Sequence, residues 1–481
     1  MKLNRFILFI LCLVCQRGLA QKMEWSAEEK VVSHNSYARI LGQNKNGLFV
    51  LRQTETMPSH NISIDRYGDN LRKIGTSNFL DEKEEFLVQA SLQENELQLF
   101  YGMPNSETGN IDVWVKRLDE GLATIGKDTL VFSIPQKNIR YEFLMLYKPN
   151  ESPLTICMYP NDNYNNPASL HYILLNADLT LFGSGDFNIN MESRYAITQL
   201  MFTKNEILMV ADMGAKHNSQ DITEHFLLSG AFGSGNLVKT PLFNDSLLFS
   251  EGIIKADYKN NTLVYTGLYK MWDSAYSKGC YVWMRDIATD KVNTYKMPFP
   301  AKLIEDMGGK SSRVKGIYNL IANDLTLRKD GGIILTAEEQ QTSKEIVNEV
   351  NTFGIGQANY RTYFYYKSLV VLSVNKDGKM DWYKVLRKEQ QTIDDNGVYS
   401  SYVTSAMPGS LVYVYNDLSR KNWSLAGFEV EADGTAQNEV LVKSHEYAAQ
   451  LIPMNAVQVS ENQLVIPGFG RKGAVLLRLS F

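Results

Sequence analysis

The chain has 481 residues, 44% of them hydrophobic and 21% charged, with a formal charge of −4. So mild an acidity offers no basic stripe or patch, which sets aside nucleic acid and anionic lipid as main partners. Four cysteines in a chain this long set aside a disulfide framework as the source of stability, and only Cys157 and Cys280 follow residue 20.

Residues 1–20 carry Lys2 and Arg5, an unbroken apolar run over 6–15, and the small residues Gly18 and Ala20 ahead of Gln21. This is the build of a cleaved secretory signal, too short to span a bilayer. It predicts export to the periplasm, the cell surface or beyond. A lipid anchor on Cys15 is the lesser alternative, because Leu13 and Val14 in front of it are not small. Without the segment, 46 Lys plus Arg stand against 53 Asp plus Glu, a formal charge of −7. No other stretch has the apolar length of a membrane span. Residues 21–481 are expected to form one domain, with Cys157 and Cys280 as buried free thiols because they fall in non-adjacent repeats.

One unit recurs eight times. Its turn-and-strand half reads Lys-Asn-Gly-Leu-Phe-Val at 45–50 and returns at 94–99, more weakly at 152–156, then at 204–209, 260–265, 329–335, 408–413 and 461–466. A later strand of the unit, with alternating apolar residues, is legible at 112–119, 169–176, 368–375 and 424–431, the last running into the corner Asp433-Gly434. Recurrence at this spacing, β-branched and aromatic enrichment and Asn-Gly or Asp-Gly corners predict an all-β repeat architecture. The spacing has room for four short antiparallel strands per unit, as a β-propeller blade requires. Blades are expected near 34–80, 85–135, 141–190, 195–245, 250–300, 315–392 and 400–445.

The two ends are complementary. Residues 454–481 supply three strands and stop, whereas Lys22-Met23-Glu24-Trp25 repeats the outer-strand string Lys379-Met380-Asp381-Trp382 with no strands before it. The N-terminal strand is therefore expected to complete the last blade, hiding both edges. The total is eight blades, with seven allowed by the weak third repeat.

Most chemical motifs dissolve on inspection. Gly468-Phe469-Gly470-Arg471-Lys472-Gly473 has dinucleotide-binding spacing, but a strand and not a helix follows the glycines, so it reads as a hairpin turn. Residues 230–235 fail in the same way. The Asn-rich stretch 161–166 lacks the turn glycine and closing Glu of a calcium loop and reads as a solvated loop. The six histidines, His34, His60, His171, His217, His225 and His445, show no metal-ligand spacing, and there is no nucleophile elbow. No metal and no cofactor is expected. Sequons stand at Asn61, Asn150, Asn244, Asn260 and Asn422. Glu338-Glu339 follows the strand at 333–337 and reads as a solvated strand end, where the chain enters a long insertion at 341–363 that ends in the aromatic run Tyr363-Phe364-Tyr365-Tyr366.

The densest polar constellation lies between the sixth and seventh repeats, where Lys388 to Asp395 links them. Tyr399-Ser400-Ser401-Tyr402 opens the next strand and Tyr415-Asn416-Asp417 ends the one after. Candidate ligand-binding residues are Glu338, Gln390, Gln391, Asp394, Tyr399, Tyr402, Tyr415, Asn416 and Asp417, since amides, carboxylates and phenols on a propeller face hydrogen-bond a sugar or peptide while the rings stack on it. The bland alternative is that these side chains satisfy loop backbone and lock one blade to the next.

The stretches 323–338, 363–366, 381–382 and 388–417 together resemble a pattern in exported β-propeller proteins of Bacteroidetes-type bacteria. The resemblance implies a propeller and a cell-envelope or exported location; it carries over no catalytic residue, as no activity is assigned to that group. The expected function is a non-catalytic scaffold recognising a protein or envelope glycan. The alternative is a glycan-active enzyme using Glu338 or Asp394 as acid/base, which needs two carboxylates at a fixed separation across a pocket.

Overall fold

The computed structural model describes residues 22–30, 36–56, 59–79, 85–93, 96–135, 141–148, 151–160, 169–176, 178–189, 195–203, 205–215, 218–243, 247–250, 252–271, 276–308, 316–347, 359–417, 424–442 and 449–481. The expected leader at 1–20, the Asn-rich stretch 161–166 and the sequons at Asn150, Asn244 and Asn422 lie outside the described residues. So do 348–358 of the insertion and the side chains of Asn61 and Cys157.

The fold is all-β, built from four-stranded antiparallel blades of the β-propeller type. The chain divides into two compact units, one made of Met1–Phe79, Gln341–Tyr366 and Lys388–Phe481, the other of Leu80–Gln340 and Lys367–Arg387.

In the second unit, sheets at 86–135 and 141–188 are followed by one ten-stranded sheet over 195–318; the sheet of Leu320–Leu327, Ile333–Val347, Asn359–Val374 and Met380–Leu386 comes next, with 341–347 and 359–366 of its two long strands counted in the first unit. In the first unit lie the sheet over 36–79, the sheet over 403–442 and the sheet formed by the two ends. Among the described residues the sheets number seven, the count that the sequence left open, but the merger is not at the weak third repeat, which forms its own four strands. Instead the fourth and fifth repeats share a sheet. The two-residue strand Leu248–Phe249 pairs with Ile222 on one side and with Tyr269 and Lys270 on the other.

Position in a blade sets the sequence texture. Thr262–Lys270 has neighbours on both sides and is buried over its whole interior, so it reads as a nearly unbroken apolar run. The outermost strands Lys73–Phe79 and Leu181–Asn188 alternate exposed and half-buried residues. Apolar faces of adjacent sheets then pack: Val264, Leu268 and Val282 join Leu325, Leu335, Val370 and Leu372 in one cluster. Each such fully buried side chain contributes about 1.5–3 kcal/mol. Cys280 sits in the same cluster as a free thiol.

The ends close as expected. Lys22–Trp25 runs antiparallel to Ala474–Ser480, pairing Lys22 with Ser480, Met23 with Leu479, Glu24 with Arg478 and Trp25 with Leu477. Lys22, 2.8 Å from Glu24, holds that carboxyl below its ordinary range. Farther on, Glu29 exchanges backbone hydrogen bonds of 2.9 Å with Ala474, while its carboxylate accepts from Tyr67 Oη and from Lys73 Nζ at 2.5 Å each. Gly468 to Gly473 is a hairpin corner, Gly470 N donating to Gly473 O at 2.8 Å, and no helix follows.

Candidate functional site

The described parts of the insertion, 341–347 and 359–363, are strand and not loop. Strand Ile333–Val347 runs ten residues past the predicted end at Ala337, and Asn359–Val374 returns beside it. The polar run Glu338-Glu339-Gln340-Gln341-Thr342 has weak strand propensity, yet it continues a strand already anchored by its apolar first half.

The link after the sixth repeat becomes a further strand. Gln390–Ile393 pairs antiparallel with the returning arm, setting Tyr363 opposite Ile393, Phe364 opposite Thr392, Tyr365 opposite Gln391 and Tyr366 opposite Gln390. Alternation then sorts its side chains: Gln390 and Thr392 are buried, Gln391 and Ile393 exposed. Asp394 ends the strand with φ 56°, its N–H donating to Thr362 O at 2.9 Å and its Oδ1 accepting from Thr362 N at 2.8 Å. Asn396, Gly397 and Ser401 are also left-handed, which turns the chain sharply toward the next strand.

Several predicted residues are spent inside the protein. Gln390 Nε2 donates to Asn416 O at 2.7 Å and Ser401 O at 3.2 Å, and its Oε1 accepts from Lys388 Nζ. Asn416 Nδ2 donates to Tyr399 O at 2.7 Å and Leu451 O at 2.8 Å, tying three segments together. Tyr415 is buried against Phe428 with ring centroids 5.2 Å apart, and burial, then Asp417, push its phenol well above the usual tyrosine range. Tyr402 packs edge-on against Tyr413 at 5.6 Å and precedes the strand Val403–Met407 instead of opening it. Tyr399 is half-buried, its phenol raised by burial and then by Asp395. Asp417, half-buried, ends Ser410–Asp417 as expected.

Glu338 departs most from expectation. It is 0% exposed, in mid-strand, its Oε2 accepting from Gln340 Nε2 at 2.9 Å and Asn323 Nδ2 at 3.0 Å. It belongs to the second unit, whereas the other predicted residues belong to the first.

What remains on the outside is a small platform. Tyr363 and Tyr365, two residues apart on one strand, hold ring centroids 6.4 Å apart with planes 16° from parallel. Gln391 and Ile393, across the pair, face the same way, Ile393 being 45% exposed. Rings with an adjacent free amide can stack on and hydrogen-bond a ligand. Of these four residues sequence reasoning named only Gln391 as a contact, having assigned the tyrosines to an aromatic run without a face.

A second polar cluster was missed altogether. In the second unit Asp212 stands opposite His225 in the Glu206–Ala215/Asn218–Ala231 pair, with Oδ1 2.7 Å from His225 Nδ1. Thr198 Oγ1 donates to Asp212 Oδ2 at 2.6 Å and Tyr265 Oη lies 3.0 Å from Nδ1. The available signal was a histidine directly before the apolar run Phe226-Leu227-Leu228. Among the described residues no group of histidine, cysteine and carboxylate side chains could hold a metal ion.

No family model and no curated protein matches this chain. Among solved structures it is similar to the β-propeller domain of the Trilobed protease from Pyrococcus furiosus, at 9% identity over 89% of this chain and 98% of that one, TM-score 0.35. It is also similar to polysaccharide lyase Uly1, at 8% identity over 96% and 99% of the two chains, TM-score 0.40. A third likeness is to a eukaryotic initiation factor, at 10% identity over 87% and 91%, TM-score 0.33.

Proposed function

We propose that the chain is an exported, non-catalytic recognition scaffold of the cell envelope, which binds a glycan or protein partner on the extension of its sixth repeat. The observation that carries this reading is the division of labour in one polar segment: Gln390, Thr392 and Asn416 turn inward as fasteners, while Tyr363, Tyr365, Gln391 and Ile393 share an outward face. A rigid sheet presenting side chains to one side suits recognition, because little ordering remains to be done on binding. Export is supported by the composition of residues 1–20. Glu338 and Asp394 lend little to acid/base chemistry, since one lies buried under two amides and the other accepts a backbone N–H.

The test is capture from the cell envelope by residues 21–481, immobilised, against the Tyr363→Ala, Tyr365→Ala double variant. Capture lost at unchanged melting temperature supports the assignment, and equal capture by both proteins defeats it. Tyr402→Ala with Tyr415→Ala is unsuited to this purpose, because both rings are buried and their loss would unfold the sheet.

A further inference from the structure

We infer that the ligand of this face is an acidic glycan, a chain of sugars bearing carboxylate or sulfate groups; the inference rests on the recognition reading above. Its first support is that the tyrosine-bearing stretch has a strand on each side: Tyr363 to Tyr366 pair with Gln390–Ile393, and Ile333–Val347 runs beside them on the other flank. An extended peptide cannot add as another strand there, so a ligand of these rings meets them face-on through side chains. The side chains available are ring faces and an amide, which match the C–H faces and hydroxyls of a pyranose.

The second support is charge. Residues two apart on a strand share a face, so Arg361 joins Tyr363 and Tyr365. Arg361 is exposed, and among the described residues it has no carboxylate within ion-pair distance. Of the acids around it, Asp394 Oδ1 accepts from Thr362 N and Asp395 Oδ1 from Gly397 N at 2.9 Å, while exposed Glu345 stands on the neighbouring arm Ile333–Val347. Exposed Glu389 alternates with Gln391 and Ile393 and marks the end of the face opposite Arg361. A guanidinium that makes no ion pair among the described residues, standing at one end of an aromatic pair, complements an anionic group and forks readily onto carboxylate or sulfate. From Arg361 to Tyr365 the strand rises about 13 Å, the reach of a short oligosaccharide. The anionic sugar lies at Arg361, the next sugars stack on Tyr363 and Tyr365, and Gln391 meets their hydroxyls.

The experiment is calorimetric titration of residues 21–481 with short oligogalacturonides, their carboxyl-reduced counterparts and a panel of sulfated oligosaccharides. Binding of an acidic member, lost in the Tyr363→Ala, Tyr365→Ala variant and weakened about tenfold by Arg361→Gln with partial recovery in Arg361→Lys, is the expected result. Equal binding of the reduced sugars, or no effect of Arg361→Gln, overturns the acidic assignment. Absence of any saccharide binding alongside envelope protein capture that still needs Tyr363 and Tyr365 overturns the glycan class and leaves the recognition reading standing. Absence of both kinds of binding removes both.

Discussion

Trp25 lies directly across from Leu477 in antiparallel register, so the first described strand and the last belong to one sheet. The indole packs on a cluster holding Val412, Leu464, Leu477 and Leu479. Trp25→Ala should therefore cost about 2 kcal/mol, less than a fully buried tryptophan because the ring is half-exposed. Deleting 22–25 should do more, since it bares the edge of Ala474–Ser480 and invites edge-to-edge association. Urea unfolding checks the first and light scattering the second; a deletion variant with wild-type stability and no aggregation would contradict both.

Gly473 has φ +153°, and a Cβ there would meet Glu29 O at 1.7 Å. Backbone and not a flexible side chain occupies the space, so Gly473→Ala must displace the Glu29 to Ala474 bridge. A loss of about 2 kcal/mol or more is expected from the strained dihedral and the broken pair. Faster amide exchange at Ala474 should accompany it. The contrast is Gly109, also left-handed but with open space around its Cβ position, where alanine should cost only the dihedral term.

Asn416→Ala removes both donors that hold Tyr399 O and Leu451 O, leaving two buried carbonyls without them. The expected cost is about 2–4 kcal/mol, with ligand capture per folded molecule unchanged. Tyr363→Ala with Tyr365→Ala should show the reverse pattern. Melting curves and capture measured on the same preparations separate fasteners from contacts, and loss of capture in folded Asn416→Ala would reassign Asn416 to the binding face.

The parts of this architecture written in local chemistry were readable from the chain. Gly331 at φ +85° is a corner that only an Asp-Gly-like pair makes cheaply, and Lys22 to Trp25 resembles Lys379 to Trp382 because both form outer strands. What escaped depends on residues distant in sequence. Leu248–Phe249 bridges two repeats through Ile222 and Tyr269, which no local pattern encodes. Gln390–Ile393 is only four residues long and lies in a polar link, and it pairs because the returning arm Asn359–Val374 reaches it. Glu338 is buried because its strand continues to Val347, whereas a run rich in Glu and Gln reads as solvent-facing.

Burial pushes the Cys280 thiol from 9.0 up to about 12, and Tyr269 beside it up to about 12 for the same reason. A raised folded-state value gives stability that is complete below the unfolded value, near 9 for the thiol, and is lost as pH climbs toward 12. Stability should therefore fall through this window, and Cys280→Ala should flatten the fall by one proton, about 1.4 kcal/mol per pH unit. Urea midpoints across the window measure it. An unaltered slope would mean that the thiol ionises equally in folded and unfolded chains.

Asp212 and His225 form a buried pair whose worth is best isolated by a double-mutant cycle. His225 Nδ1 and Asp212 Oδ1 share a hydrogen bond of 2.7 Å while Thr198 Oγ1 donates to Oδ2. His225→Phe keeps the ring's contacts with Phe249 and Tyr281 but strips Asp212 of its strongest donor, and Asp212→Ala strands both Thr198 and His225. Each single change should cost about 2–4 kcal/mol. The double variant should cost clearly less than their sum, because the second removal abandons a partner already lost. Asp212→Asn, which keeps a polar group able to hydrogen-bond Nδ1, should recover most of the alanine loss. Urea unfolding of the four proteins gives the coupling, and additive losses would show that the two side chains meet without depending on each other.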